Sequence, residues 1–257
     1  WFAGDITPLK YWQLDSAGFD QYAGVQLAST VKVANMGNWF AQPCAETIIG
    51  GVLALYRGLD TLTNLKQKTE WIGTKLRPSL RILFGQNVVI LGAGTIAQAC
   101  NDILKGFKCQ THLYARTSPD ATIRTKEDLY EELAKTDLVI NTLPGTATNF
   151  VNAEFIAALK PGSVYSSVGR GSTTDESALI NALKTSRLSG AVLDVTAIEP
   201  LPEDSPLWQM EHVILTQHTG GGRKEEHLGK VDLFLNNVFA LENGSDIVDQ
   251  INLGKGY

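Results

Sequence analysis

From Asn87 onward, short runs of β-branched and other apolar residues alternate with segments of helical length, which predicts a parallel sheet with crossover helices. The apolar runs predict strands at Val88 to Leu91, Gln110 to Tyr114, Leu138 to Thr142, Ser163 to Val168, Gly190 to Val195 and Val213 to Thr216. Each is short and rich in apolar residues, as a strand covered on both faces requires. Helices are expected between them at Thr95 to Lys105, Thr125 to Ala134, Ala153 to Leu159 and Glu176 to Lys184, the third ended by Lys160, Pro161 and Gly162. Upstream, Tyr11 to Leu14 and Val31 to Ala34 read as two more strands, and Ala41 to Leu65 as one long helix. Apolar residues fall on most faces of that helix, which places it at a subunit or domain interface. Downstream, Thr219 to Lys224 is a glycine-rich link, and Glu225 to Glu242 an amphipathic helix ending at Asn243 and Gly244. The expected fold is therefore α/β, with a doubly wound parallel sheet over residues 39–222 and a second, smaller domain from residues 1–38 and 223–257.

Composition narrows the function. The 257 residues are 44% hydrophobic and 19% charged, which is globular and leaves room for two modest domains. With 22 basic and 27 acidic residues the formal charge is -5, which argues against a nucleic-acid partner on a broad basic surface. A small anion gripped by one or two arginines suits that balance. Cys44, Cys100 and Cys109 form neither a disulfide framework nor a metal-ligand cluster, so no metal is expected and a reducing compartment such as the cytoplasm is. The most apolar stretch, Ala45 to Tyr56, carries Glu46 and two glycines and is too short to cross a bilayer. The chain starts at Trp1 with no basic segment followed by an apolar run, which suggests a trimmed or truncated beginning.

Gly92, Ala93, Gly94, Thr95, Ile96 and Ala97 form G-x-G-x-x-A between an expected strand and an expected helix, the setting in which this motif binds a dinucleotide. Gly92 permits the tight turn, Gly94 lets backbone approach a pyrophosphate, and Ala97 keeps helix and strand close. The first helical amides, at Thr95 and Ile96, then meet the phosphates. An ordinary glycine turn is the competing reading, and it does not account for both flanking elements. After the second strand, where an NAD site commonly carries an acidic residue, the chain instead reads Arg116, Thr117 and Ser118. A guanidinium beside two hydroxyls suits the 2′-phosphate of NADP, whereas a solvated surface arginine is the plainer alternative. NADP is the expected cofactor, with NAD as the alternative.

Three polar groups lie just past the carboxyl ends of expected strands, where open parallel sheets bind ligands. They are Val168-Gly169-Arg170-Gly171, Leu193-Asp194-Val195 followed by Glu199-Pro200, and Thr216-Gln217-His218. Singly, Arg170 also fits a helix-capping surface arginine, Glu199 a loop charge and His218 a packed histidine. His112, His212 and His227 have no such company, Asp5 and Asp20 read as turn formers, and Trp208 reads as a packing residue before it reads as a pocket wall.

With Ser16-Ala17-Gly18-Phe19-Asp20, Ala45-Glu46, Lys160-Pro161-Gly162 and Pro206-Leu207-Trp208, these motifs make the chain resemble the D-isomer-specific 2-hydroxyacid dehydrogenases, which include glyoxylate and hydroxypyruvate reductases. The resemblance implies a Rossmann-type dinucleotide domain and a flavodoxin-like substrate domain, of which only the later strands are recognisable. Missing strands leave an unpaired edge, so earlier residues are expected in the natural protein. It also implies roles. Arg170 clamps the carboxylate of a 2-oxo acid and polarises its carbonyl. His218 gives a proton to the carbonyl oxygen, and Glu199 orients the imidazole and favours its charged form. Asp194 orients the nicotinamide carboxamide, and the Ala17 and Gly18 amides add donors to the substrate carboxylate. A homodimer built on the long helix is expected. Two positions depart from the family pattern: Ser167 replaces an asparagine, and Gln217 replaces a proline whose rigid dihedral would help fix His218. NADPH-dependent reduction of a small 2-oxo acid is the leading expectation. The alternatives are an NAD-linked member of the family and a non-catalytic, dinucleotide-sensing protein of the same fold.

Overall fold

The apolar runs between Asn87 and Leu215 form one sheet in which all neighbouring strands are parallel. A computed structural model describes residues 9–22 and 24–255, so the start at Trp1 and the turn expected at Asp5 lie outside the described residues. Two compact units are distinguished, Trp1–Ala41 with Gly222–Tyr257, and Gln42–Gly221.

In the larger unit the strands are β3 (Asn87–Leu91), β4 (Gln110–Tyr114), β5 (Leu138–Asn141), β6 (Ser163–Ser167), β7 (Leu188–Leu193) and β8 (Val213–Leu215). Their order is β4-β3-β5-β6-β7-β8. Because β4 lies on one side of β3 and β5 on the other, the winding reverses between β3 and β5, the point at which such sheets open a crevice. Alternate side chains serve the two faces. Val89, Leu91, Val139, Tyr165, Ala191 and Leu193 share a core with Leu129, Phe155 and Leu183. These last three come from α5 (Lys126–Leu133), α6 (Ala153–Ala158) and α7 (Glu176–Lys184). The intervening residues Val88, Ile90, Leu138, Ile140, Val164 and Val192 are also buried, so both faces are covered.

The helix expected from Ala41 to Leu65 is two helices, α1 (Gly37–Arg57) and α2 (Leu59–Gln67), separated by Gly58 at φ +61. A residue in the left-handed region ends a right-handed helix, and only glycine adopts it without steric cost. Buried positions of α1, among them Cys44, Ala45, Ile48, Ile49, Val52 and Tyr56, follow helical spacing and make one stripe. That stripe is covered within the chain: a Cβ on Gly51 would lie 2.5 Å from Val192 of β7. Part of this helix is thus packed on the sheet of the same unit. A short α3 (Gly73–Leu76) follows, and α4 (Thr95–Gly106) crosses from β3 to β4.

In the smaller unit β1 (Tyr11–Gln13) runs parallel to β2 (Lys32–Ala34), and β2 pairs antiparallel with β9 (Gln250–Ile251), a strand too short to stand out in the sequence. Helix α8 (Glu226–Glu242) stops where Gly244 takes φ +67. Its buried positions are small or polar, Gly229 and Asn237, rather than apolar. Asn237 is buried because its amide links Tyr11 Oη at 2.8 Å to the carbonyl of Val248 at 3.1 Å. Leu228, Val231, Leu235 and Phe239 of the same helix form an apolar stripe that stays exposed.

Candidate active site

Three α-helices of the larger unit carry a side-chain cap: Thr125 accepts from the Asp128 amide, Asn152 from Phe155 and Asp175 from Ala178. Helix α4 has none. Its N-cap is Gly94, and the amides of Thr95, Ile96 and Ala97 have no partner among the described residues. A Cβ on Gly94 would meet nothing within 4 Å, whereas one on Gly92, at φ +110, would lie 2.4 Å from Thr142 Oγ1 of the loop after β5. Gly92 thus lets the two loops close at the switch point, and Gly94 leaves open space before bare helical amides. These are the requirements of a pyrophosphate cradle, and the residues present fit a dinucleotide.

Past β4, Arg116 and Thr117 are exposed and Ser118 is half-buried. Arg116 makes no hydrogen bond or ion pair with a described residue, and the amides of Arg116, Thr117 and Ser118 have no partner among the described residues. Three amide donors, two hydroxyls and a guanidinium without a partner among the described residues thus lie together in a chain of net negative charge.

Beyond β6, β7 and β8 the other candidates converge. Arg170 lies between two glycines that admit backbone on either side. A Cβ on Gly169 would sit 2.5 Å from the Leu143 carbonyl, and one on Gly171 would sit 1.8 Å from the Thr196 carbonyl. The Arg170 carbonyl accepts the Thr173 hydroxyl at 2.6 Å. Thr173 also receives Asn141 Nδ2, which donates to Tyr165 Oη as well, both at 2.8 Å. Asn141, Tyr165 and Thr173 are almost fully buried, so this network is costly to leave unsatisfied and braces the Arg170 loop. Burial raises the Tyr165 pKa above the usual phenol value, keeping it a neutral donor to Thr174 or acceptor from Asn141. Sequence reasoning passed over this network. Its one visible signal is an asparagine closing the apolar run Leu138–Asn141.

His218 Nδ1 lies 2.6 Å from Glu199 Oε2. The other oxygen, Oε1, accepts the Thr196 amide at 3.0 Å, so both carboxylate oxygens are engaged. The Gln217 departure has a structural counterpart. Gln217 and His218 take φ 54 and 56, which a proline ring at about −65° cannot share. Two consecutive left-handed residues cost on the order of 1–2 kcal/mol each. They are held by the His218 amide on the Asp194 carbonyl at 2.6 Å. Hydrogen bonds thus replace the rigid dihedral, and the imidazole is not loosely placed.

Asp194, 4% exposed, accepts the Thr216 hydroxyl and the Gly220 amide on Oδ1, tying β7 to the His218 loop. Its Oδ2 has no hydrogen-bond partner among the described residues. Ser167 Oγ is likewise buried without one. Ala17 and Gly18 belong to the smaller unit. Their carbonyls accept Asn35 Nδ2 and Ser16 Oγ, and their amides have no partner among the described residues.

A cavity of about 230 Å³ brings together Arg170, Glu199 and His218 with Gly171 and Thr196. A second, of about 460 Å³, shares Glu199 and His218 and is walled by Leu193, Leu201, Leu215 and Trp208. Trp208 therefore lines a pocket, with its indole nitrogen donating to the Pro202 carbonyl at 2.9 Å. Among the described residues no group of His, Cys, Asp and Glu is arranged to hold a metal ion, and no helix is long and apolar enough to cross a membrane.

An open parallel sheet with bare helical amides at its switch point, and a cationic and an imidazole side chain beyond its strands, is the architecture of a dinucleotide-dependent enzyme. The chain belongs to the D-isomer specific 2-hydroxyacid dehydrogenase family, whose NAD binding domain matches residues 49–220. It is an NAD(P)-dependent oxidoreductase. It is 29% identical over 252 residues to a glyoxylate/hydroxypyruvate reductase A of Arabidopsis thaliana, covering 96% of this chain and 80% of that one. A glyoxylate/hydroxypyruvate reductase A of Salmonella paratyphi B is 28% identical over 218 residues, covering 82% and 68%. The crystal structure of a D-isomer specific 2-hydroxyacid dehydrogenase of Xanthobacter autotrophicus Py2, in complex with NADPH and MES, superposes with a TM-score of 0.83 at 26% identity, covering 100% and 84%.

Proposed function

We propose that the chain reduces a small 2-oxo acid, of the glyoxylate or hydroxypyruvate class, to the D-2-hydroxy acid with NADPH. The observation that carries this reading is the meeting of Arg170, Glu199 and His218 around one cavity. The guanidinium fork of Arg170 holds the substrate carboxylate and orients the adjacent carbonyl. Nδ1 of His218 is committed to Glu199, so Nε2 is the nitrogen that hands a proton to the carbonyl oxygen as it gains charge. Glu199 fixes the direction of the ring through contact at 2.6 Å. The bound dinucleotide supplies the hydride, while the protein supplies orientation and the proton. The uncapped start of α4 would hold the pyrophosphate, and Asp194 would orient the nicotinamide carboxamide.

NADPH is favoured over NADH by the unpaired Arg116 and its neighbouring amides and hydroxyls, with no carboxylate among Arg116, Thr117 and Ser118. The relatives named as glyoxylate/hydroxypyruvate reductases and the NADPH complex of the Xanthobacter protein agree with it. The test follows dinucleotide oxidation with a panel of 2-oxo acids. Turnover with glyoxylate or hydroxypyruvate is expected, faster with NADPH, and Arg116→Ala should lower the NADPH preference by about 10- to 100-fold. Tight dinucleotide binding with no turnover across the panel would mean a sensor instead.

The same reading places the enzyme in the cytoplasm as a homodimer. Burial pushes the Cys44 and Cys100 thiols up to about 12, as suits inert core thiols in a reducing compartment. Trp71, 96% exposed, and the exposed Ile82 and Phe84 are apolar groups that a second copy would cover. Light scattering is expected to give twice the chain mass, and a monomer at working concentration would overturn the dimer.

A further inference from the structure

We propose that Arg124 is a positioning residue for the 2′-phosphate of the dinucleotide, acting through the backbone of the loop that carries Arg116, Thr117 and Ser118. The inference rests on the NADPH reading and names what makes that loop a phosphate site.

The chain leaves β4 after Tyr114 and returns at Ile123, which bridges back to Tyr114. The two ends are pinned together. The Ala115 amide donates to the Ile123 carbonyl at 3.1 Å, and the Thr122 and Ile123 amides both donate to the Leu113 carbonyl at 3.0 Å. The span between the pins holds the candidate phosphate donors, and its internal ties are the Ala121 amide on the Ser118 carbonyl and the Asp120 amide on Ser118 Oγ, both at 3.3 Å. Such long bonds hold a loop weakly.

Arg124 follows directly after the second pin. Its Nη1 donates to the Ser118 carbonyl at 2.7 Å and its Nη2 to the Pro119 carbonyl at 3.1 Å. A planar fork reaching two consecutive carbonyls sets the orientation of both peptide planes, which a single ammonium does not. Two oxygens that would repel a phosphate are engaged from the Arg124 side, and the amides of Arg116, Thr117 and Ser118 stay unpartnered among the described residues. The two arginines thus divide the work. Arg116 makes no bond with a described residue and is available to an anion, whereas two Arg124 nitrogens are committed to backbone. Motif reading selected Arg116 and passed over Arg124, because the latter acts across a turn whose closure leaves no periodic trace.

The probe is adenosine 2′,5′-bisphosphate, compared by calorimetry with adenosine 5′-monophosphate, which lacks only the 2′-phosphate. Arg124→Ala is expected to weaken the bisphosphate about tenfold and leave the monophosphate unchanged. Arg124→Lys, which keeps the charge without the fork, should recover less than half of that loss. In turnover, the KM for NADPH should rise with kcat unchanged. A wild-type affinity for the bisphosphate in Arg124→Ala overturns the proposal while the NADPH reading stands, provided Arg116→Ala weakens it. Full recovery in Arg124→Lys, or equal weakening of both probes, overturns it too, by assigning Arg124 a bare charge or a general structural role. If wild-type protein binds both probes equally and Arg116→Ala changes nothing, the NADPH reading itself fails.

Discussion

Replacing His218 by alanine is expected to lower kcat for 2-oxo acid reduction by about 10²–10⁴-fold, the range of a positioned general acid. The imidazole reaches the shared cavity from a loop whose backbone is set independently of its side chain, by the His218 amide on the Asp194 carbonyl at 2.6 Å. Truncation therefore removes the proton donor without releasing the loop. Its side chain is 54% exposed, so no large apolar area is lost. Dinucleotide affinity, which depends on the amides at the start of α4, should not change. Stopped-flow turnover and calorimetric dinucleotide binding on the same preparation separate the two effects. A His218→Ala enzyme that retains more than a tenth of its kcat would remove the imidazole from the chemistry.

Arg170→Ala is expected to reduce kcat/KM for the 2-oxo acid by about 10²–10³-fold, because it removes both a charge-assisted contact to the carboxylate and the orientation that contact imposes. Arg170→Lys should recover only part of this, since an ammonium restores the charge without the planar fork. The surrounding loop should survive either change. It is braced mainly through the Arg170 carbonyl and Thr173, with Asn141 and Tyr165 completing that network below it, while Nη1 of Arg170 adds one bond to the Gly169 carbonyl at 3.0 Å. Thermal unfolding close to wild type, with kcat/KM lost, is the expected pair of results. Unchanged kcat/KM would place substrate elsewhere.

The parts of the fold that rest on local chemistry were legible. The strand at Gln110 and the helix at Glu176 have the boundaries that apolar pattern and capping residues indicate. The expected helix from Ala41 to Leu65 was misjudged because one glycine inside a helical pattern is usually tolerated. Here Gly58 takes φ +61, and the Leu76 and Leu80 side chains lie just over 3 Å from where its Cβ would be. The exposure of the α8 stripe was not legible, because periodicity shows that a helix has two faces and not which one the fold covers.

For the site, residue types were readable and relationships were not. Arg170, Glu199 and His218 each announced themselves at a strand end. The 2.6 Å contact between Glu199 and His218, 19 positions apart, and the buried brace from Asn141 to Thr173 were not visible. By itself, the sequence determined the six parallel strands, the glycine turn and the family, because burial on two faces and the absence of a Cβ constrain residue type one position at a time. Only the tertiary structure decided that Gly171 must admit the Thr196 carbonyl, that Gln217 and His218 adopt left-handed backbone, and that Arg124 supports the loop of Arg116. Those are contacts between segments that meet only after the sheet has formed, and hydrogen bonds between loops repeat with no period along the chain.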